Sequence, residues 1–86
     1  MRITYHKKFT KAFTKLPPVV QKKFYERLRL FALNPVHPIL HNHKVDAAYP
    51  NWRSINITGD YRALYEPQDA SHIEFMKIGT HSELYG

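Results

Sequence analysis

The chain has 86 residues, no cysteine and a formal charge of +6, which excludes a disulfide framework, a thiolate metal site and a cysteine nucleophile. Hydrophobic residues at 43% and aromatics at 14% suffice for one folded domain over residues 1–86, with no length left for a second core. No run approaches about 18 apolar residues, and the N-terminal MRITYHKKF has no apolar signal region, so neither export nor a membrane partner is expected and a cytoplasmic setting fits the missing thiols.

In chain order, RITY reads as a short strand. Phe9, Phe13 and Leu16 then recur at helical spacing, while Lys7, Lys11 and Lys15 form another stripe of the same helix, which is therefore amphipathic with a basic outer side. Leu16-Pro17-Pro18 ends it, because a residue before proline is driven from the α region, and Pro18 suits the first turn of a second helix. Val20, Phe24, Leu28 and Phe31 make the apolar stripe of that helix, and Asn34-Pro35 closes it. Residues 6–34 thus read as a helical hairpin with an aromatic seam inside and lysines outside.

Beyond Pro38 the pattern becomes that of strands. Residues 36–51 suggest a short strand near Leu40 and a loop through Asp46–Asn51. In WRSINIT, residues 52–58, Arg53, Ile55 and Ile57 share one face and Trp52, Ser54 and Asn56 the other. Thr58-Gly59-Asp60 signals a turn, YRALYE (61–66) a strand, Pro67-Gln68-Asp69 a second turn, and HIEFMKI (72–78) the last strand. The expected fold is α+β, in the order β-α-α-β-β-β, with the hairpin on one face of a small antiparallel-dominated sheet.

Charge divides along the chain. Residues 1–44 carry ten Lys/Arg against one acid, Glu26, and residues 45–86 carry three against six. A basic face of this kind suits a polyanion or an acidic protein segment, and equally a solvated helix surface. Six histidines invite a metal reading, yet only His41 and His43 are close and no third ligand follows at zinc-site spacing. No metal or other cofactor is expected.

Acid–base cleavage of RNA fits the residues better. Attack by the ribose 2′-hydroxyl needs a proton acceptor, cations for the charge gathering on phosphorus, and an acid for the leaving 5′-oxygen. Histidine suits either proton role, arginine pairs with two phosphate oxygens, and an aromatic ring stacks on an unpaired base. His43, Asp60, Arg62, Lys77, His81 and Tyr85 supply these types at strand ends and turns.

WRSINITGDYRALYE followed by FMKIGTHSELYG resembles the C-terminal half of the RelE/ParE superfamily of bacterial toxins, closest to RelE- and YafQ-type mRNA interferases of type II toxin–antitoxin systems. The lysine-rich hairpin and the element order extend the likeness over nearly the whole chain. The YR-[AL]-[LV]-Y strand is widespread in the superfamily, and its pairing with a terminal G-[ST]-H-[SD]-x-L-[YF] is more specific. The resemblance implies a RelE-like fold and an endoribonuclease cutting mRNA, on the ribosome, without a metal. It also implies a cognate antitoxin with an acidic wrapping segment and a DNA-binding domain, DNA being met only through that complex.

Residue by residue, the resemblance implies that His81 is catalytic, as general acid, and that Tyr85 is the terminal aromatic contacting the substrate nucleotide. Asp60 matches the acid of an aspartate–aromatic pair whose aromatic is Tyr61 here, and Arg62 the strand arginine on the scissile phosphate. His43 matches the histidine on the approach to the sheet, thirteen residues before a second histidine of YafQ-like toxins that is Asn56 in this chain. Asn56 can bond a phosphate or base but cannot carry a proton, so Asp60 or His43 is the candidate base. Lys77 stands where those toxins carry an arginine, and Lys7, Lys11 and Lys15 would meet rRNA phosphates. Structural roles stand beside these: Tyr85 as an anchor for the C-terminus, Arg62 as a partly buried structural arginine, Asp60 as a turn residue and the Lys77 stem as packing beside Ile73 and Phe75. Two other functions stay open: a ParE-like toxin that poisons gyrase, and a catalytically inactive antitoxin-binding relic, which Asn56 favours.

Overall fold

A computed structural model describes residues 1–86. Strand β1 (Arg2–Tyr5) leads into helix α1 (Lys7–Thr14) and helix α2 (Pro18–Leu33). The side chain of His6 caps α1 by accepting from the Lys8 amide, at 3.0 Å. Pro17 and Pro18 open α2 as N-cap and first residue, and Asn34 is its C-cap. Gln21 ties the hairpin together, its amide donating to the carbonyls of Phe13 and Leu16.

Strands β2 (His43–Lys44), β3 (Arg53–Asn56), β4 (Tyr61–Asp69) and β5 (His72–Thr80) follow, then a five-residue helix, α3 (His81–Tyr85). The sheet order is β1-β5-β4-β3-β2, with β1 parallel to β5 and every other pair antiparallel. This is the expected α+β architecture. No helix is long and apolar enough to cross a membrane.

Eleven buried residues form the main core between the helices and one sheet face. Phe75 is its hub: its ring centroid lies 5.4–6.0 Å from those of Tyr5, Phe9, Phe24, Phe31 and Tyr65. Tilted and edge-on pairs of this kind add attraction beyond burial alone. Val45, Leu64 and Leu84 are also buried but stand outside this cluster. Leu64 alternates with Ala63 and Tyr65, so it projects from the opposite sheet face, which α3 and the loop before β3 cover. The main core thus fills one side of the sheet, and the other side buries only this smaller apolar contact among polar side chains.

Four details differ from the sequence-based expectation. The chain near Leu40 is a single 3-10 turn over Pro38–Leu40, and the strand comes later, at His43–Lys44. Pro38 fixes the first residue of that turn, His37 caps it by accepting from the Ile39 amide, and His41 leaves it at φ 46°. Strand β4 runs through Pro67-Gln68-Asp69, and the turn falls at 70–71, where the Asp69 carboxylate accepts from the Ser71 amide at 2.8 Å. A register irregularity between Pro67 and Asp69 accommodates the proline that a regular ladder would reject. Residues after Ile78 continue β5 to Thr80 and then coil into α3.

The fourth difference is the face of Lys77. Leu64 pairs with Lys77 but Tyr65 pairs with Phe75, so Met76 is an extra residue in β5, a β-bulge. The bulge resets the alternation: Phe75 and Ile78 both enter the core, and Lys77 leaves the face of Ile73 and Phe75 to stand exposed.

Truncating the hub tests this account of the core. Phe75→Ala is expected to lower stability by about 3–5 kcal/mol, whereas Leu33→Ser, at a side chain 85% exposed, should stay within about 0.5 kcal/mol. Urea unfolding followed by circular dichroism measures both.

Candidate active site

The face of the sheet away from the helices presents two rows of side chains. Cross-strand pairing puts His43, Ser54, Leu64 and Lys77 in one row and Asn56, Arg62 and Gly79 in the next. Over these rows lie the loop that follows β2 and the helix α3. Between them is an open cavity of about 440 Å³ whose lining includes His41, His43, Ser54, Arg62, His81 and Tyr85. That volume is in the range of small-ligand sites.

Arg62 is half-buried, and its guanidinium gathers the carbonyls of the preceding turn. Nη1 donates to Thr58 at 2.9 Å and Tyr61 at 3.1 Å, and Nη2 to Gly59 at 3.1 Å. Three of its five N–H groups are so used, which fixes the plane of the fork and leaves two donors. The Thr58 hydroxyl accepts from the amides of Asp60 and Tyr61, closing the same turn. Arg62 is thus the structural arginine of the turn and a cation of the cavity.

His43 approaches from the edge strand. Its Nδ1 lies 2.8 Å from the His41 carbonyl oxygen. A carbonyl can only accept, so the neutral ring carries its proton on Nδ1 and keeps a lone pair on Nε2. The His41 ring is 4.7 Å away, centroid to centroid. Ser54, directly opposite His43 across the strand pair, is the one buried polar residue of the chain, 1% exposed.

His81 and Tyr85 come from α3, one turn apart, with ring centroids 4.8 Å apart. Thr80 and Glu83 start the helix with a reciprocal capping box: the Thr80 hydroxyl accepts from the Glu83 amide, and the Glu83 carboxylate accepts from the Thr80 amide at 2.7 Å. These bonds hold the Glu83 carboxyl below its ordinary pKa, the backbone bond contributing most. Gly79 permits the box by absence of bulk: a Cβ there would stand 3.1 Å from the Glu83 Oε1. The chain turns at Thr80, and Gly79 itself is strand. Tyr49 secures the far end of α3, its hydroxyl donating to the Leu84 carbonyl at 2.5 Å while its ring lies flat on Trp52 at 4.9 Å.

Four of the sequence-derived candidates, His43, Arg62, His81 and Tyr85, therefore share one cavity. The others are elsewhere. Asp60 is exposed in the turn and reaches α3 through its backbone, its carbonyl accepting from the His81 amide at 3.1 Å. Tyr61 packs against the main core. Asn56 is half-buried opposite Arg62, with its Oδ1 unpartnered. Lys77 sits over the Tyr49 ring, 5.2 Å from its centroid. Lys7, Lys11 and Lys15 are exposed on or beside α1, Lys15 as its C-cap. Sequence reasoning missed Tyr49 and Ser54. Nothing local marks Tyr49, whereas the alternation of WRSINIT already puts Ser54 on the side of Asn56.

Similarity to known proteins bears on the family and the fold. Residues 3–85 match a family described as the ParE toxin of the type II toxin–antitoxin system parDE. Among solved structures, YafQ from E. coli strain BL21(DE3) superposes with a TM-score of 0.78 at 21% identity, covering 100% of both chains. A YoeB/ParE toxin from Agrobacterium tumefaciens gives 0.75 at 13% identity over 94% of this chain and 99% of that one. The RelB–RelE antitoxin–toxin complex from Methanococcus jannaschii gives 0.74 at 19% identity over 95% and 94%. Identities this low speak to the fold. No curated protein is significantly similar in sequence.

The capping box predicts a pH dependence. Because the folded-state pKa of Glu83 is depressed, its support of α3 is present above the ordinary carboxylate range and is lost as pH falls through the folded value. Amide exchange at Leu84 and Tyr85 is expected to accelerate as pH falls below the ordinary carboxylate range, beyond its intrinsic pH trend. Glu83→Gln, whose amide oxygen can still accept from Thr80 but does not titrate, should lose that step.

Proposed function

The chain belongs to the ParE toxin family of type II toxin–antitoxin systems, and from that premise we propose that it is a single-domain mRNA endoribonuclease working in the cytoplasm, on the ribosome, by acid–base chemistry. The observation that carries the proposal is that His43, Arg62, His81 and Tyr85, drawn from β2, β4 and α3, line one cavity. Family membership implies a cognate antitoxin. The M. jannaschii neighbour, described as an antitoxin–toxin complex, supports the same partner here.

The mechanism divides the proton work between the histidines. The bare Nε2 of His43 takes the proton of the ribose 2′-hydroxyl as the 2′-oxygen bonds to phosphorus. The bond from phosphorus to the 5′-oxygen breaks, and protonated His81 gives that oxygen its proton. The products are a 2′,3′-cyclic phosphate and a 5′-hydroxyl. The free donors of Arg62 stabilise the charge on the phosphoryl oxygens, and Tyr85 stacks on a neighbouring base. His43 is preferred over Asp60 as base because the Asp60 side chain is exposed in the turn, outside the cavity lining. This answers the problem posed by Asn56: with His43 as base, position 56 needs no proton carrier. Lys7, Lys11 and Lys15 would meet rRNA phosphates, or acidic residues of the antitoxin in the repressed complex.

A gyrase-directed poison is the competing reading, favoured by the parDE description of the matching family. Such a toxin acts through protein contacts and has no use for the paired imidazoles.

Inducing the chain alone in cells and mapping new mRNA 5′ ends against the reading frame tests the proposal. Cuts at fixed codon positions are expected, and His81→Ala should reduce cutting about 10²–10⁴-fold with folding and antitoxin binding unchanged. A fully toxic His81→Ala protein, or growth arrest with intact mRNA and altered DNA supercoiling, overturns it.

A further inference from the structure

Three buried polar side-chain atoms in the molecule have no hydrogen-bond partner within the protein: the Ser54 hydroxyl, the Asn56 Oδ1 and the Tyr85 hydroxyl. Two of the three, Ser54 and Tyr85, line the cavity that holds His43 and Arg62. Leaving a buried hydroxyl unbonded costs free energy, and native proteins rarely keep one without use. No protein group bonds the hydroxyl at position 54, and alanine would fit in β3 without it. We propose that Ser54 is a substrate-contacting residue: its hydroxyl, with that of Tyr85, donates to the phosphoryl oxygens of the scissile phosphate beside Arg62. This deepens the endoribonuclease reading and rests on it.

The geometry favours a phosphate over a base edge. Ser54 is the cross-strand partner of His43 and of Leu64, and Arg62 is two residues from Leu64 on the same strand. Side chains directly opposite on one sheet face stand about 4.5–5.5 Å apart at Cβ, and diagonal neighbours about 7–8 Å. All three side chains line the same cavity, so a phosphate entering it has His43, Ser54 and Arg62 on its walls. Arg62 has only two donors to give, because the turn holds the other three. A phosphorane carries more acceptor capacity than two N–H groups satisfy, and two neutral hydroxyls complete the set without adding charge. The Ser54 side chain is covered in the free chain, so the cavity lining must part as the phosphate enters.

The test compares wild type with Ser54→Ala on programmed ribosomes, using a synthetic mRNA with all-oxygen phosphate or a single Rp or Sp phosphorothioate at the wild-type cut site. Ser54→Ala is expected to cut about 10–100-fold more slowly, the worth of a hydrogen bond to a charged group, while its Tm is unchanged or higher because an unbonded hydroxyl has been removed. One sulfur diastereomer should slow wild type and add little further loss in Ser54→Ala, since both changes remove the same bond. Cutting by Ser54→Ala at the wild-type rate overturns the proposal, as do losses from sulfur and substitution that multiply independently for both diastereomers. Failure of the wild-type protein to cut at all is a separate result: it removes the endoribonuclease reading and this inference with it.

Discussion

Met76 pairs with no residue of β4, and that one extra position decides which side chains of the last strand meet the helices and which meet the cavity. Upstream of it, Ile73 and Phe75 enter the main core. Downstream, a regular strand would turn Lys77 inward and Ile78 outward, burying an ammonium group that has no partner among the aromatic rings. The bulge reverses the order. Ile78 joins the core, Lys77 finds the Tyr49 ring, and Gly79 arrives on the open face beside Arg62. The direction in which α3 leaves the sheet follows from that face, so the position of His81 and Tyr85 rests on a defect in pairing five residues upstream of the helix.

Around the cavity, the groups assigned to the proposed chemistry also build the fold. Arg62 spends most of its fork closing the turn between β3 and β4, which is what aims the remainder. His43 is oriented by a backbone carbonyl two residues away, which also settles its tautomer. Tyr49 holds the last turn of α3 by a carbonyl and meets Tyr85 edge-on, with ring centroids 6.1 Å apart. Each tie is to the backbone. Changes that remove the Arg62, His43 or Tyr49 donor, or that shift the main chain accepting from it, therefore disturb the cavity most.

Much of this was legible in the sequence. The hairpin could be read because Phe9, Phe13, Val20, Phe24 and Phe31 keep helical spacing and prolines bound the two helices. β3 and β4 could be read because alternation is strict there. The motif around His81 pointed to the site before any coordinates. Other features resisted for local reasons. A bulge leaves no mark in HIEFMKI, since both Met76 and Lys77 are plausible on either face. Thr80 and Glu83 have the spacing of a capping box, but a helix of five residues is too short to show an apolar period. Pro67 looks like a turn until the irregular pairing around it is known. Ser54 was on the right face and carried no signal of use, because an unbonded hydroxyl is visible only when its neighbours are.

The helical hairpin covers one side of the sheet, and the cavity opens on the other. Ten of the thirteen lysines and arginines lie in residues 1–44, and the hairpin bears most of these on its outer surface, behind the sheet as seen from the cavity. A single extended strand lying in the cavity thus leaves most of the positive charge unengaged. Only a partner with walls on both sides of the molecule, or one long enough to travel around its edge, can satisfy chemistry and charge together. The protein is electrically suited to being enclosed, and a strand confined to the cavity meets only a minority of its positive charge.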